Sequence, residues 1–201
     1  MTVQISSEDV KKLRDKTGVG MMDCKKALAE CGGDFSKAVE LLRKKGMEVA
    51  NKRQGRTASQ GMVSSYIHMG GKVGVLVEVN CESDFVAKSD NFTSFVKDVA
   101  MHIAAASPDW VSREDVPQEV LDKEREIYKE QALKSGKPEK ILEKIAEGRL
   151  TKFYSERCLM DQPFVKDTDK TIKGLLDELM GKTGEKCQIR RFARYQLGEE
   201  I

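Results

Sequence analysis

One strand constrains this chain more than any other segment. In KVGVLVEVNC, Lys72 to Cys81, residues Val73, Val75, Val77, Val79 and Cys81 occupy every second position, the spacing at which a β-strand returns to one face. The preceding MVSSYIHM, Met62 to Met69, also suits a strand, and Gly70-Gly71 between the two fits a hairpin turn that needs positive φ. Almost everything else reads as helix. A β-hairpin set in helical sequence predicts an α+β fold, a small antiparallel sheet packed by helices.

The first 46 residues predict three short helices. SSEDVKKLRDKTG has Ser6 and Asp9 at capping-box spacing, with Asp in place of the usual Glu or Gln; Val10 and Leu13 share a face, and Gly18 is the stop. MMDCKKALAECGG sets Cys24, Ala27, Leu28 and Cys31 on one stripe and ends at Gly32-Gly33. DFSKAVELLRKKG starts at Asp34, faces Phe35, Ala38, Val39 and Leu42 inward, and is predicted to stop at Gly46. The expected organisation is a three-helix domain over 1–50, a polar linker over 51–61, and an α+β core over 62–201.

In that core, DNFTSFVKDVAMHIAAAS predicts a helix capped by Asp90 or Asn91, with Phe92, Phe95, Val96, Val99 and Ile103 inward. Two helices between Val116 and Arg157, split by Gly136 and Pro138, predict an antiparallel helical hairpin. After an extended QPFVKD, a capped helix in DKTIKGLLDELMGKTG faces Ile172, Leu175, Leu176 and Leu179 inward. The closing KCQIRRFARYQL alternates Cys187, Ile189, Ala193, Tyr195 and Leu197 against Arg190, Phe192 and Arg194. It is expected to join the hairpin's sheet.

Chemistry is harder to find. The hydrolase elbow, the P-loop and a strand-following G-x-G-x-x-G are absent, and TGVG at Thr17 to Gly20 reads as a turn between helices. Five cysteines without a C-x-x-C pair and two histidines give no zinc spacing. Free thiols in a reducing cytosol, with no metal and no cofactor, is the expectation. His102, next to Ile103 and one turn from Val99, is expected at the edge of the core. His68 lies at a strand end, exposed, with no evident acid or nucleophile beside it. No apolar run could span a bilayer, and the start lacks the features of a signal peptide, so a cytoplasmic protein is expected. The net charge of +2 is too small to argue for nucleic acid. The basic stretch Arg43 to Arg56 is either a solvated linker or an RNA or ribosome contact, with Arg190, Arg191 and Arg194 as a second basic group.

The segment that most needs a role is NCESDFVAKSDNF, Asn80 to Phe92. Its acids Glu82, Asp84 and Asp90 do not match a calcium loop and have no glycine for the sharp turn. Asp84 as a general acid would need a second carboxylate in a cleft. Phe85 exposes apolar area at a polar loop tip unless it folds back onto the Phe92 helix as a staple or is buried in another molecule. Burying such a side chain is worth about 1.5–3 kcal/mol, and aromatics are the usual anchors of interfaces. The residues alone leave staple and wedge both open.

TGVGMMDCKKALAECGGDFSKAVELLRKKG, GVLVEVNCESDFVAKSDNF, HIAAASPDW, SGKPEKILEKIAEGRLTKF and QPFVKDTDKTI together, in this order and over nearly the whole chain, resemble the bacterial elongation factor Ts family. The resemblance implies a ubiquitin-associated-like N-terminal domain and nucleotide exchange on the GTPase elongation factor Tu, without covalent chemistry. It implies that Ser83, Asp84, Phe85 and Val86 form a loop associated with Mg²⁺ displacement in that partner, Ser83 standing where Thr is commoner. It further implies apolar docking contacts at Leu13, Met21 and Met22, and a contact to the partner's other domains near His68. Met22, away from the core stripe, is the stronger contact; core packing stays open for Leu13 and Met21. Long family members carry two core copies and a coiled-coil insertion, whereas this chain has one core copy and only a short hairpin. A symmetric homodimer through the core sheet or adjacent surface is therefore expected, with no membrane and no direct nucleic acid as partners.

Overall fold

The structure, a computed structural model, describes residues 5–53 and 55–200, with backbone alone at 47 and 49–53. Among the described residues it is an α+β fold of eight α-helices and a small antiparallel sheet. By internal contacts the chain forms two compact units. One comprises the residues up to Val63 with Glu78–Val96 and Gly174–Ile189; the other comprises Ser64–Val77, Lys97–Lys173 and Arg190 onward.

The first unit opens with the three expected helices, α1 (Ser7–Thr17), α2 (Met21–Glu30) and α3 (Phe35–Arg53). Ser6 caps α1 by accepting from the Asp9 amide at 3.0 Å, while its hydroxyl donates to the Asp9 carboxylate. Gly18 closes α1 at φ 68°, a conformation that favours glycine. Asp34 accepts from the Lys37 amide at 3.0 Å, and this bond holds its carboxyl below the ordinary range. Val10, Leu13, Cys24, Ala27, Leu28, Ala38 and Leu42 form the core of the bundle, the stripes that the sequence spacing predicts.

Gly46 does not stop α3, which runs on to Arg53. A Cβ on Gly181, in α8 (Ile172–Thr183), would lie 3.2 Å from the Gly46 Cα. Gly46 is therefore the point where two helix backbones touch, a use of glycine that outweighs its low helix propensity. Of the basic stretch Arg43 to Arg56, the residues up to Arg53 lie in this helix; Gln54 and the side chains at 47 and 49–53 lie outside the described residues.

Strands β1 (Gln60–Ile67), β2 (Val73–Cys81) and β5 (Cys187–Gln196) form the sheet in the order β1-β2-β5. The last strand thus joins the hairpin, as expected. Gly70 and Gly71 take φ of 84° and 69° at the hairpin turn. Val75, Val77, Val79 and Cys81 are buried. Burial along β5 reaches only Cys187 and Ile189; Tyr195 and Leu197 are exposed, against the expected alternation. In β1, Gly61 has φ 140°, and a Cβ there would stand 2.1 Å from the Val79 carbonyl oxygen. Only glycine fits that approach.

The second unit holds α6 (Gln118–Lys134) and α7 (Leu142–Arg157), the expected helical hairpin. Arg125 pairs with Glu147 at 3.1 Å, and Lys129 pairs with Glu143. Val116, Phe153 and Cys158 pack with Trp110 and Tyr154 at its base. Helix α5 (Asp90–Ala106) turns Phe92, Phe95, Val96, Val99 and Ile103 inward; its cap is Ser89, one residue earlier than expected, accepting from the Phe92 amide at 3.4 Å. Residues expected to be extended and then helical instead form a second antiparallel hairpin, β3 (Pro163–Phe164) with β4 (Asp167–Thr171), so α8 starts only at Ile172. That hairpin is held to α5 by Lys166 on Asp98 at 2.7 Å and by His102.

His102 is buried outright, deeper than a core edge. The Val165 amide donates to its Nδ1 at 3.3 Å, so Nε2 carries the proton and donates to Gln162 Oε1 at 2.9 Å. Gln162 in turn donates to the Glu156 carbonyl at 2.7 Å. Burial lowers the pKa of this imidazole below its ordinary 6.5. All five cysteines are free; burial pushes Cys81 and Cys158 up to about 11 and Cys187 up to about 12. Such thiols are poor nucleophiles at neutral pH.

Two outcomes test this fold. Gly61→Ala lowers stability by about 3 kcal/mol in urea denaturation, from strain and clash together. Below pH 6.5 the unfolded chain protonates His102 more than the native chain does, because burial lowers its pKa in the fold, so stability falls with falling pH, by at most about 1.4 kcal/mol per unit from this group. Urea titrations between pH 7.5 and 5.5 show a shallower decline for His102→Gln than for wild type.

Candidate functional site

The end of β2 is built to hold one aromatic side chain in water. After Cys81 and Glu82, Ser83 is extended (φ −124°, ψ 153°) and caps a single helical turn, α4 (Asp84–Ala87), accepting from the Val86 amide at 3.3 Å. The sequence reading had a loop here; the turn forms because Ser83 caps it and Asp84 places a carboxylate at its positive end. A helical turn divides its side chains, and the division is clear: Val86 is 5% exposed and Phe85 is 85% exposed. Phe85 is not folded back as a staple, and Phe92 is fully buried elsewhere.

The base of the turn is fixed by polar contacts that sequence reasoning did not find. Glu185 accepts from the Ser83 amide at 2.9 Å and from its hydroxyl at 2.6 Å. Glu82 accepts from the Lys186 amide at 2.6 Å and pairs with Arg56 at 3.1 Å. Lys186 Nζ donates to the Arg56 carbonyl at 2.8 Å. The Cys81 thiol donates to the Ser83 carbonyl at 3.1 Å, and burial, with the Glu185 charge second, raises its pKa. The three acids of the segment thus have separate positions. Glu82 anchors the base, Asp84 pairs with Lys88 at 2.6 Å, and Asp90 begins α5. Among the described residues no three His, Cys, Asp or Glu side chains group to hold a metal ion.

The other residues singled out by the sequence separate by burial. Leu13 is 0% exposed and belongs to the bundle core, which supports α2 from beneath. Met21 and Met22, at the start of α2, are 43% and 66% exposed. Flexible, polarisable methionines suit adaptable contact surfaces. These residues and α4 belong to the same compact unit. His68 lies in the other unit, exposed at the hairpin turn, with the Tyr66 hydroxyl 3.2 Å from its Nδ1.

Comparison with known proteins shows the family. The family model described as Elongation factor TS matches residues 19–199. Elongation factor Ts of Moorella thermoacetica is 58% identical over 197 residues, 98% of this chain and 97% of that protein. The protein of the same name from Carboxydothermus hydrogenoformans is 59% identical, covering 98% and 91%; that from Geobacter sulfurreducens is 59% identical, covering 99% and 92%. Matches of this extent span the bundle, the sheet and the Phe85 turn alike, and the chain belongs to the elongation factor Ts family.

Proposed function

We propose that this translation elongation factor promotes GDP release from the GTPase elongation factor Tu, acting in the cytoplasm as an exchange factor without covalent chemistry. The observation that carries the reading is Phe85, held out in water by a turn whose base is fastened. Asp84 and Phe85 are the residues that approach the partner's Mg²⁺ and phosphate site, with Ser83 and Val86 supporting them. Mg²⁺ requires near-ideal octahedral coordination, so a small displacement of the partner's supporting elements loosens metal and phosphates together. The three-helix domain over 1–50, ubiquitin-associated-like in type, docks through Met21 and Met22 with Leu13 holding their helix from below. The linker read at 51–61, bounded in the structure by the end of α3 at Arg53 and the start of β1 at Gln60, joins it to the core over 62–201, where His68 makes a secondary contact. Factor and nucleotide weaken each other's binding by one coupling free energy. The factor therefore needs only to grip the nucleotide-free form better.

Release of a fluorescent GDP analogue from elongation factor Tu tests this. Sub-stoichiometric wild type accelerates release, and Phe85→Ala reduces the acceleration by about tenfold or more, the usual range for an interface anchor. Because Phe85 is exposed, the variant melts within about 2 °C of wild type. Absence of acceleration by wild type overturns the reading.

The chain is further proposed to act as a symmetric homodimer through the outer face of its sheet. In the second unit, Ile67, Met69, Leu76, Tyr195 and Leu197 are all exposed, a concentration of large apolar side chains that favours burial against a partner. Gly74 leaves room for Ile67, whose Cδ1 would lie 3.2 Å from a Cβ there. Sedimentation equilibrium gives a dimer for wild type and a monomer for Leu76→Glu; a monomeric wild type at tens of micromolar sinks the proposal.

A further inference from the structure

We propose that Glu185 is a positioning residue for Phe85, setting the direction in which the aromatic tip leaves the body of the protein. The proposal rests on the exchange reading above and adds to it a residue remote in sequence. Helix α4 is a single turn, too short to maintain its own geometry, because helices of this length are not stable without outside contacts. Phe85, at 85% exposure, inherits its direction from the backbone of Ser83 to Val86. That backbone must be held from elsewhere.

Ser83 is where the hold is applied, and every polar atom it carries is engaged. Its amide and hydroxyl both donate to Glu185, and its carbonyl accepts from the Ala87 amide at 3.2 Å and from the Cys81 thiol. The hydroxyl oxygen accepts from the Val86 amide at 3.3 Å. A serine hydroxyl rotates freely until its proton is committed. With the hydroxyl proton directed at Glu185, a lone pair stays directed at Val86, so the carboxylate locks the cap as well as the residue. Glu185 sits where Gly184 (φ 70°) follows the end of α8 and Cys187 begins β5. The neighbouring Lys186 amide donates in the opposite sense, to Glu82. Two carboxylates therefore cross between the same two turns, which fixes angle as well as distance. Charge-assisted bonds of this kind are the strong ones. An anchor already held in its docking direction loses less freedom on binding.

The experiment compares wild type, Glu185→Ala, Glu185→Gln, Phe85→Ala and the Glu185→Ala/Phe85→Ala double variant. In the free protein, amide hydrogen exchange read by mass spectrometry rises about tenfold over residues 83–88 in Glu185→Ala, with α1 to α3 unchanged. Glu185→Gln keeps one oxygen acceptor and stays within about threefold of wild type. In GDP release from elongation factor Tu, Glu185→Ala weakens the acceleration about tenfold but has no further effect once Phe85 is Ala, the non-additivity expected of a residue acting through another. Unchanged hydrogen exchange overturns the proposal, as does full acceleration by Glu185→Ala or an undiminished Glu185 effect without Phe85. These results leave the exchange function standing. If wild type itself fails to accelerate release, the exchange reading falls and Glu185's role in it falls too, whatever hydrogen exchange reports.

Discussion

β2 is the middle strand of its sheet, so its backbone is bonded on both sides while Val75, Val77, Val79 and Cys81 leave water along one face. With a side-chain period of two, a slip of one residue would move that whole set to the opposite face. The register is therefore fixed, and much of the first unit follows from it. Gly61 must sit against the Val79 carbonyl because no side chain has room there. Asn80 donates from Nδ2 to the Gln60 carbonyl at 3.3 Å, tying the same two strands. Where the buried set ends, at Cys81, the chain has a defined position and direction, and the next residues carry Phe85 from there.

The turn at Asp84–Ala87 combines a rigid base with an apolar tip. Leaving Phe85 in water forgoes about 1.5–3 kcal/mol that burial would return, and nothing within the chain recovers it. The base, by contrast, is densely bonded, through Glu82, Ser83, Glu185 and Lys186. Val86 and Ala87 add apolar burial on the inner side. A mobile loop could have folded Phe85 back against its own surface. The fastened base opposes that collapse, so the same bonds that order the turn keep its tip available.

The architecture was legible in the sequence wherever local pattern sufficed. The hairpin, its Gly70-Gly71 turn, the three-helix bundle and the α6–α7 pair all rest on periodicity and on residues suited to turns. Gly46 misled because glycine reads as a stop, whereas its meaning lies in Gly181, a residue far along the chain. The β3–β4 hairpin escaped notice because Pro163, Asp167 and Asp169 give no alternation; Lys166 and His102 hold it in place. Phe85 was legible as an anomaly, though not as a side chain standing outward on a helical turn. Glu185 carried no signal at all, since its partner Ser83 is 102 residues away. Contacts made by a single side chain across such a separation leave no period for a sequence to display.

The two proposed contact regions differ in what they can contribute to exchange. A surface that meets the GTPase equally well with or without nucleotide raises affinity for both forms and shifts nothing between them. Met21 and Met22, exposed on a preformed helix, are suited to that uniform role. On the proposed exchange reading Phe85 is different, because a single aromatic ring on a narrow turn would become buried only where the partner opens a space for it. Its burial energy would then be gained in one form alone, and that difference would favour the nucleotide-free form. The same reasoning limits the size of the tip. A broader apolar wedge would bind so tightly that returning GTP could not displace it, since the coupling acts equally in both directions. On the proposed exchange reading, one ring, rigidly aimed, would supply a difference large enough to open the site and small enough to be reversed.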